Sequence, residues 1–364
     1  MRDAKPDAPR PSLSTLEPAG TWVGIDVAAQ TLAVVIARAD QAPTPAESVA
    51  NTAEGWQTLR RSLQAQGIQP ASSQVVLEAT GAYWVGVATA LTAAGWTVSV
   101  VSPASARAYA QARLRRAKTD ALDAAVLAAY GRDLHPAPWR PPPPEIQALQ
   151  LLLRQRDDLV AMRTQTRNRQ HALAQLPPAA VPPEVQASWE ALLATLETQI
   201  ADVTALIEQR VATTPIAEEV ARLDAIKGVG WLTATLLLVE TAPLGLALGA
   251  SRIAGAGEVT PKQVVAYAGL DPAPRQSGTS VRGAGHLSKT GHPRLRQALY
   301  MAALAAVRSN DRLRAFYHRL LARGKLKRVA LVAVARKLLV LMVTLLTHQR
   351  TWDPDWPARP ARHP

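Results

Sequence analysis

From Trp22 to Ala37 the chain carries two apolar, β-rich runs, VGIDVA and TLAVVIA, separated by a short polar break. That pattern predicts a strand pair. Ala53 to Gln66 has helical spacing, and Gln74 to Glu78 (QVVLE) is short and apolar enough for a buried strand. A helix over Tyr83 to Ala94 follows, punctuated by Gly95, and WTVSVV reads as another strand. From Ala104 the pattern is helical to about Gly131. Strands alternating with helices predict an α/β domain built on a central sheet over residues 20–134.

The texture then changes. His135 to Pro144 (HPAPWRPPPP) holds four consecutive prolines, which cannot continue a helix and favour a stiff spacer. Two long polar helices are expected at Glu145 to Leu176 and Glu184 to Val211, broken by PPAAVPP. Leu192, Leu196, Ile200, Val203 and Ile207 recur at spacings of three or four and form a stripe. The pattern predicts a coiled-coil helical hairpin over residues 145–222, with a plain helical bundle as the alternative. Residues 223–350 read as a second, mainly α-helical domain. Residues 1–19 and 351–364 are polar and proline-rich, as in disordered tails.

Charge separates these regions. Residues 1–144 hold 13 basic and 11 acidic residues, 145–225 hold 7 and 11, and 226–364 hold 21 and 6. The net charge of +13 therefore belongs to the C-terminal region, which calls for a polyanion partner. The absence of cysteine excludes a disulfide scaffold, a thiolate metal site and a cysteine nucleophile, and fits a cytoplasmic location. Val329 to Leu346 is apolar enough to be taken for a membrane span, but Arg336 and Lys337 sit in its middle. Charges there are costly in lipid, so a buried helix and no membrane association are expected.

Four carboxylates stand out. Asp26 interrupts the apolar VGIDVA, and Glu78 ends QVVLE. An acidic residue inside an apolar strand is costly to bury without a partner. Asp120 and Asp123 stand three apart in KTDALDAAVLAA, on one face of a helix. Singly, Asp26 could be a turn residue and Asp120 a helix N-cap. Together, two strand and two helix carboxylates can build the oxygen-rich pocket that hard divalent cations such as Mg²⁺ require.

In the C-terminal region, IKGVGWLTATLLLVE places Gly228 and Gly230 between two helices. Such a turn resembles a helix-hairpin-helix, whose backbone N–H groups can meet a phosphate, and a simple tight turn fits as well. Gly269 to Gly291 is rich in Gly, Pro and Ser and reads as a loop. It carries Arg275, Arg282 and Lys289, with Arg294 and Arg296 just beyond. Ser277 stands before Gly278, where the backbone can approach a ligand closely. A hydroxyl among guanidinium groups can meet a phosphodiester, although a serine in a loop is also an ordinary turn residue. Arg323, Lys325, Lys327 and Arg328 continue a basic helix-turn-helix surface that begins at Arg312, and phosphate contact is the expected use.

GIDVA, LEATGAY and AKTDALDAAVLA resemble the motifs of the DEDD insertion-sequence transposases, relatives of the Piv DNA invertases. AYAGLDP, QSGTS, LSKTGHPRLRQALY and RLLARGKLKRVALVAVARKLL resemble that family's second domain. The resemblance spans about residues 21–347. It implies an RNase-H-like (RuvC-like) fold for the first domain, with Asp26, Glu78, Asp120 and Asp123 as the metal-binding tetrad. It also implies that Ser277 is the catalytic serine, joining DNA through a phosphoserine link, with Ser280 and Ser288 as the other candidates. DNA, an element-encoded guide RNA and assembly as a homodimer or homotetramer are further implications. The rival readings are a Piv-like DNA invertase and a metal-only junction endonuclease with a structural serine. An actin-like ATPase would need a second glycine-rich phosphate loop, which the chain lacks.

Overall fold

The computed structural model describes residues 20–353 except residues 40, 114–118, 178–179, 245–258, 278–280 and 289, with the backbone alone for 274–277 and 281–285. The expected tail over residues 1–19, most of that over 351–364, and Lys289 and Ser280 lie outside the described residues. The chain forms two compact units, Met1–Pro141 and Pro142–Pro364.

The first unit is a five-stranded mixed sheet in the order β3-β2-β1-β4-β5. β1 (Thr21–Val27) and β2 (Thr31–Arg38) pair antiparallel, as the two apolar runs predict. β3 (Glu47–Ala50) extends the antiparallel edge. Only Val49 of this short strand is buried, so no alternation long enough to read is present in its sequence. β4 (Ser73–Glu78) and β5 (Thr97–Val101) continue from β1 in parallel.

Helices cover both faces. The pleat sends Val23, Ile25, Val75, Leu77 and Val98 into one core with Leu59 and Leu63 of α1 (Ala53–Ala65) and Val87 and Leu91 of α2 (Trp84–Ala93). On the opposite face, Val76 and Val101 pack with Ala106 of α3 (Pro103–Ala112) and Leu127 of α4 (Asp120–Leu134). The proline-rich stretch after α4 is anchored to this unit. Pro136 O accepts from Gln74 Nε2 at 2.7 Å, and Trp139 N donates to Val98 O at 2.7 Å.

The second unit opens on α5 (Pro144–Leu173) and α6 (Pro183–Ala212), two 30-residue helices joined across the proline break. Leu159, Leu196 and Ile200 form the seam, and Arg156 Nε donates to Thr204 Oγ1 across it at 2.9 Å. Leu192, at the far end of the expected stripe, is exposed. Nearer the base, Ile146, Leu149, Leu153, Ile207 and Val211 enter the large core of the remaining helices. These are α7 (Ala217–Asp224), α8 (Trp231–Glu240), α9 (Pro261–Tyr267), α10 (Pro293–Ser309), α11 (Asp311–Ala322) and α12 (Lys327–Thr347). α12 is long and apolar enough to cross a membrane, yet more than half of it is buried among the other helices.

The stretch expected to be a loop over Gly269 to Gly291 instead contains an antiparallel ribbon, β6 (Pro272–Ser277) and β7 (Val281–Leu287). Its Pro, Gly and Ser content hides the strands. A two-stranded ribbon has only edges, and edges tolerate proline.

Candidate active site

Strand pleat and helix register together assemble the first site. Because Val23, Ile25 and Val27 point into one core, Trp22, Gly24 and Asp26 face α4. A Cβ on Gly24 would lie 2.0 Å from Ala124 O and 2.3 Å from Ala128 N. Gly131, two turns further along α4, packs on side chains: a Cβ there would lie 2.8 Å from Val76 Cγ2 and 3.0 Å from Trp22 Cδ1. Gly24 lets helix and strand touch backbone to backbone, and Gly131 leaves room for the strand side chains. α4 therefore runs antiparallel to β1, and its N-terminal turn arrives at Asp26.

That turn carries Asp120 and Asp123. Thr119, not Asp120, is the N-cap, and its side chain accepts from Leu122 N at 3.3 Å. Both aspartates are therefore free of a capping role, and the positive end of the helix favours their negative charge. Asp26 lies within a strand, not in a turn. Glu78 ends β4, one position beyond the paired Ile25 and Leu77, so it stands beside Asp26. Its Oε1 accepts from Thr80 Oγ1 at 3.0 Å.

Asp26 feels the other three carboxylates. Burial pushes the Asp26 pKa up, and the charges of Asp123, Asp120 and Glu78 push it further, to about 6. Among the described residues, no three carboxylate or imidazole side chains converge closely enough to share one ion as they stand. The cluster is an all-oxygen set under mutual repulsion, and bringing a cation among them would relieve that repulsion.

Asn51 braces this end of the sheet. Its Nδ2 donates to Ala28 O at 2.9 Å and Tyr83 O at 3.2 Å, tying the turn after β1 to the segment after β4. Its Oδ1 accepts from Trp56 Nε1 at 2.8 Å. Sequence reasoning passed over Asn51, because the two backbone oxygens it ties together, Ala28 O and Tyr83 O, are distant in the chain.

In the second unit, Ser277 ends β6 opposite Val281, with Gln276 opposite Arg282 and Arg275 opposite Gly283. The ribbon thus brings Arg275, Ser277 and Arg282 into one short stretch of backbone. Of the other expected phosphate contacts, Arg294 and Arg296 have internal partners. Arg294 donates from Nε and Nη2 to Asp157 Oδ2 at 2.9 and 2.7 Å and from Nη1 to Glu240 Oε1. Arg296 Nη1 donates to Ala268 O at 3.1 Å.

Gly228 has φ +97°, and a Cβ there would stand 2.3 Å from the Ala306 Cα, so its glycine serves a tight turn packed on α10. Gly230 is open to solvent at the N-terminus of α8. Arg323, Lys325, Lys327 and Arg328 are exposed and make no ion pair with a described residue. Lys327 and Arg328 begin α12, where the helix dipole disfavours cations and no side chain caps the free N–H groups. An anion bound there satisfies both.

A repelling carboxylate cluster on one unit and a surplus of cations on the other are parts suited to an enzyme acting on a polyanion. Comparison with known proteins gives the family. Residues 23–176 match the model of the DEDD transposases of the IS110 type, and residues 220–318 match that of the transposase IS116/IS110/IS902 family. Together these stretches span more than two thirds of the chain, which belongs to this transposase family. A pilin gene-inverting protein of Moraxella bovis is 29% identical over 336 residues, 92% of this chain and 98% of that relative. The pilin gene-inverting protein of Moraxella lacunata is 28% identical over 335 residues, with the same coverage. An IS110 uncharacterised protein of Streptomyces coelicolor is 30% identical over 136 residues, 37% of this chain and 31% of its own. These families act on DNA, catalysing strand cleavage and rejoining, and the chain is an enzyme of that kind.

Proposed function

We propose that the chain is a site-specific transposase in which the carboxylate tetrad and Ser277 carry out one cleavage and rejoining reaction on DNA. The first unit is read as RNase-H-like. Three antiparallel strands running on into two parallel ones, with helices on both faces, support that reading. Asp26, Glu78, Asp120 and Asp123 would hold Mg²⁺, to which an all-oxygen donor set is suited. The bound ion would supply charge stabilisation for the phosphoryl oxygens. The observation that carries the assignment is the Asp26 carboxyl, its pKa raised to about 6 by burial and then by the charges of Asp123, Asp120 and Glu78 placed around it. A half-buried carboxylate kept ionisable only at a cost beside three like charges marks a candidate ligand site.

Ser277 would attack phosphorus through Oγ, forming a phosphoserine ester as the bond to the leaving DNA oxygen breaks. The proton from Oγ passes to a base, and the leaving oxygen takes up a proton. Arg275, two residues before it on β6, would hold the phosphate. The basic turn at Arg323 to Arg328 would contact the DNA backbone. A structured guide RNA choosing the target, and a dimer or tetramer in which the two half-sites come from different subunits, complete the proposal. A suicide DNA substrate tests it. It should trap a covalent species stable to denaturant, and peptide mapping should place the link on Ser277. A link at Ser288 or Ser280 would move the nucleophile within the same domain. A cutting enzyme that forms no adduct would make the metal-only nuclease the better reading.

A second reading, DNA inversion without mobility, is favoured by the match to the pilin gene-inverting proteins over 98% of their length. An assay offering both an invertible segment and a separate target plasmid distinguishes the two.

A further inference from the structure

Glu240 ends the apolar helix α8 and is only 2% exposed, yet it belongs to neither proposed half-site. Its carboxylate is fully engaged. Oε1 accepts from Arg294 Nη1, and Oε2 lies 3.2 Å from His292 Nε2. Arg294 is in turn held by Asp157 of α5. Burial pushes the Glu240 carboxyl up, but the His292 hydrogen bond and the charges of His292, Arg294 and Arg154 outweigh it and hold the pKa below the ordinary value. The backbone oxygen of Glu240 is used as well, accepting from Tyr267 Oη at 3.0 Å.

Two of the three residues that grip Glu240, Tyr267 and His292, flank the ribbon. Tyr267 ends α9 just before β6, and His292 precedes α10 just after β7. They bond to each other, His292 N to Tyr267 O at 2.7 Å, and their rings stack with centroids 5.8 Å apart and planes 21° apart. Above them the two legs stay closed. Gly291 lies so near Gly269 that a Cβ would meet its N at 2.4 Å, and Ser288 bonds Asp271 through both backbone and side chain. The chain thus enters and leaves the ribbon through one knot centred on the buried Glu240.

Among the described residues the ribbon pairs with no other strand. Its described anchoring contacts lie at its base. Ser277 lies five residues beyond Pro272, roughly 17 Å along an extended strand. A tilt of about 10° at the base would move the serine by roughly 3 Å, and ~1 Å of misplacement can cost a reaction ~100-fold.

We propose that Glu240, gripped by Tyr267, His292 and Arg294, is a positioning residue that aims the Ser277 ribbon at the scissile phosphate. The proposal rests on the serine reading above. In the full-length chain, Glu240→Gln weakens the knot, and Tyr267→Phe removes one hydroxyl while keeping the ring on His292. The adduct-forming rate at saturating DNA should fall by at least ~10-fold in both. The half-saturating DNA concentration should stay within about twofold of the wild type, and Tyr267→Phe should melt as the wild type does. A merely structural role would not separate the chemical step from DNA binding in this way. Unchanged adduct rates in both variants overturn the positioning role alone, and so does a change confined to DNA affinity. A wild-type chain that forms no adduct overturns the serine reading, and this proposal with it.

Discussion

Gly24 on β1 faces Ala124 on α4 so closely that a Cβ built on the glycine would lie 2.0 Å from the alanine carbonyl oxygen. The obstacle is backbone and cannot swing aside. Gly24→Ala should therefore push the N-terminal turn of α4 away from Asp26. Overpacking costs about 1 to 3 kcal/mol in ordinary cores, and this site sits at or above the upper end. The expected result is a lower melting temperature together with loss of DNA cleavage. Full activity at wild-type stability would mean that the helix contact does not set the carboxylate geometry.

Asp26→Asn should stabilise the chain in EDTA at alkaline pH while abolishing cleavage. The ordinary aspartate pKa is 3.8, and burial with the charges of Asp123, Asp120 and Glu78 raises it to about 6 in the fold. A group whose pKa rises on folding holds its proton more tightly when folded, so the ionised form is a liability above that pKa. The advantage of asparagine should be full above pH 6, shrink as the pH falls through 6, and vanish below 3.8. Thermal melts across that range check it. Added Mg²⁺ should narrow the gap by stabilising only the wild type. A variant that melts no higher than wild type at high pH would contradict the repulsion.

Replacing Arg323, Lys325, Lys327 and Arg328 together by alanine should weaken DNA binding with little loss of stability, since all four are exposed. Each lost phosphate contact flattens the log–log salt dependence by about 0.9 on duplex, so the slope should shrink by roughly 3 to 4. An unchanged slope from filter binding or anisotropy would remove this turn from the DNA interface.

Gly228 and Gly230 should respond in opposite ways. Gly228→Ala places a side chain at φ +97° and 2.3 Å from the Ala306 Cα, so stability should fall by about 2 kcal/mol or more. Gly230→Ala meets nothing within 4 Å and should be nearly neutral in denaturant melts. If its open helix end binds phosphate, DNA affinity alone should drop. Equal destabilisation by both would contradict the packing assigned to Gly228.

Some of this was legible in the sequence because its signal is local. The strand pair announced itself by two apolar, β-rich runs around a polar break, and Asp26 and Glu78 stood out as charges inside apolar runs. Asp120 and Asp123 share a helix face by spacing alone, whichever partner that face meets. The all-oxygen character of the cluster and the positive charge of residues 226–364 are likewise properties of residue type, which folding cannot alter. Glu240 carries the same anomaly as Asp26, a carboxylate at the end of LLLVE, and that signal was there to be read.

Tertiary structure alone decided which residues serve which purpose. Thr119 took the cap that Asp120 could have filled. Arg294 looked like a phosphate ligand beside Arg296, but a buried carboxylate 54 residues away claimed it. Gly228 proved to be a packing surface, because Ala306 comes within van der Waals overlap of any side chain there. The ribbon bearing Ser277 escaped notice because edge strands accept the proline and glycine that otherwise mark loops. The physical reason is common to all four. A residue's chemistry is intrinsic, but its availability depends on groups brought near from distant positions, and only the packed chain determines which cations and carboxylates remain unspent.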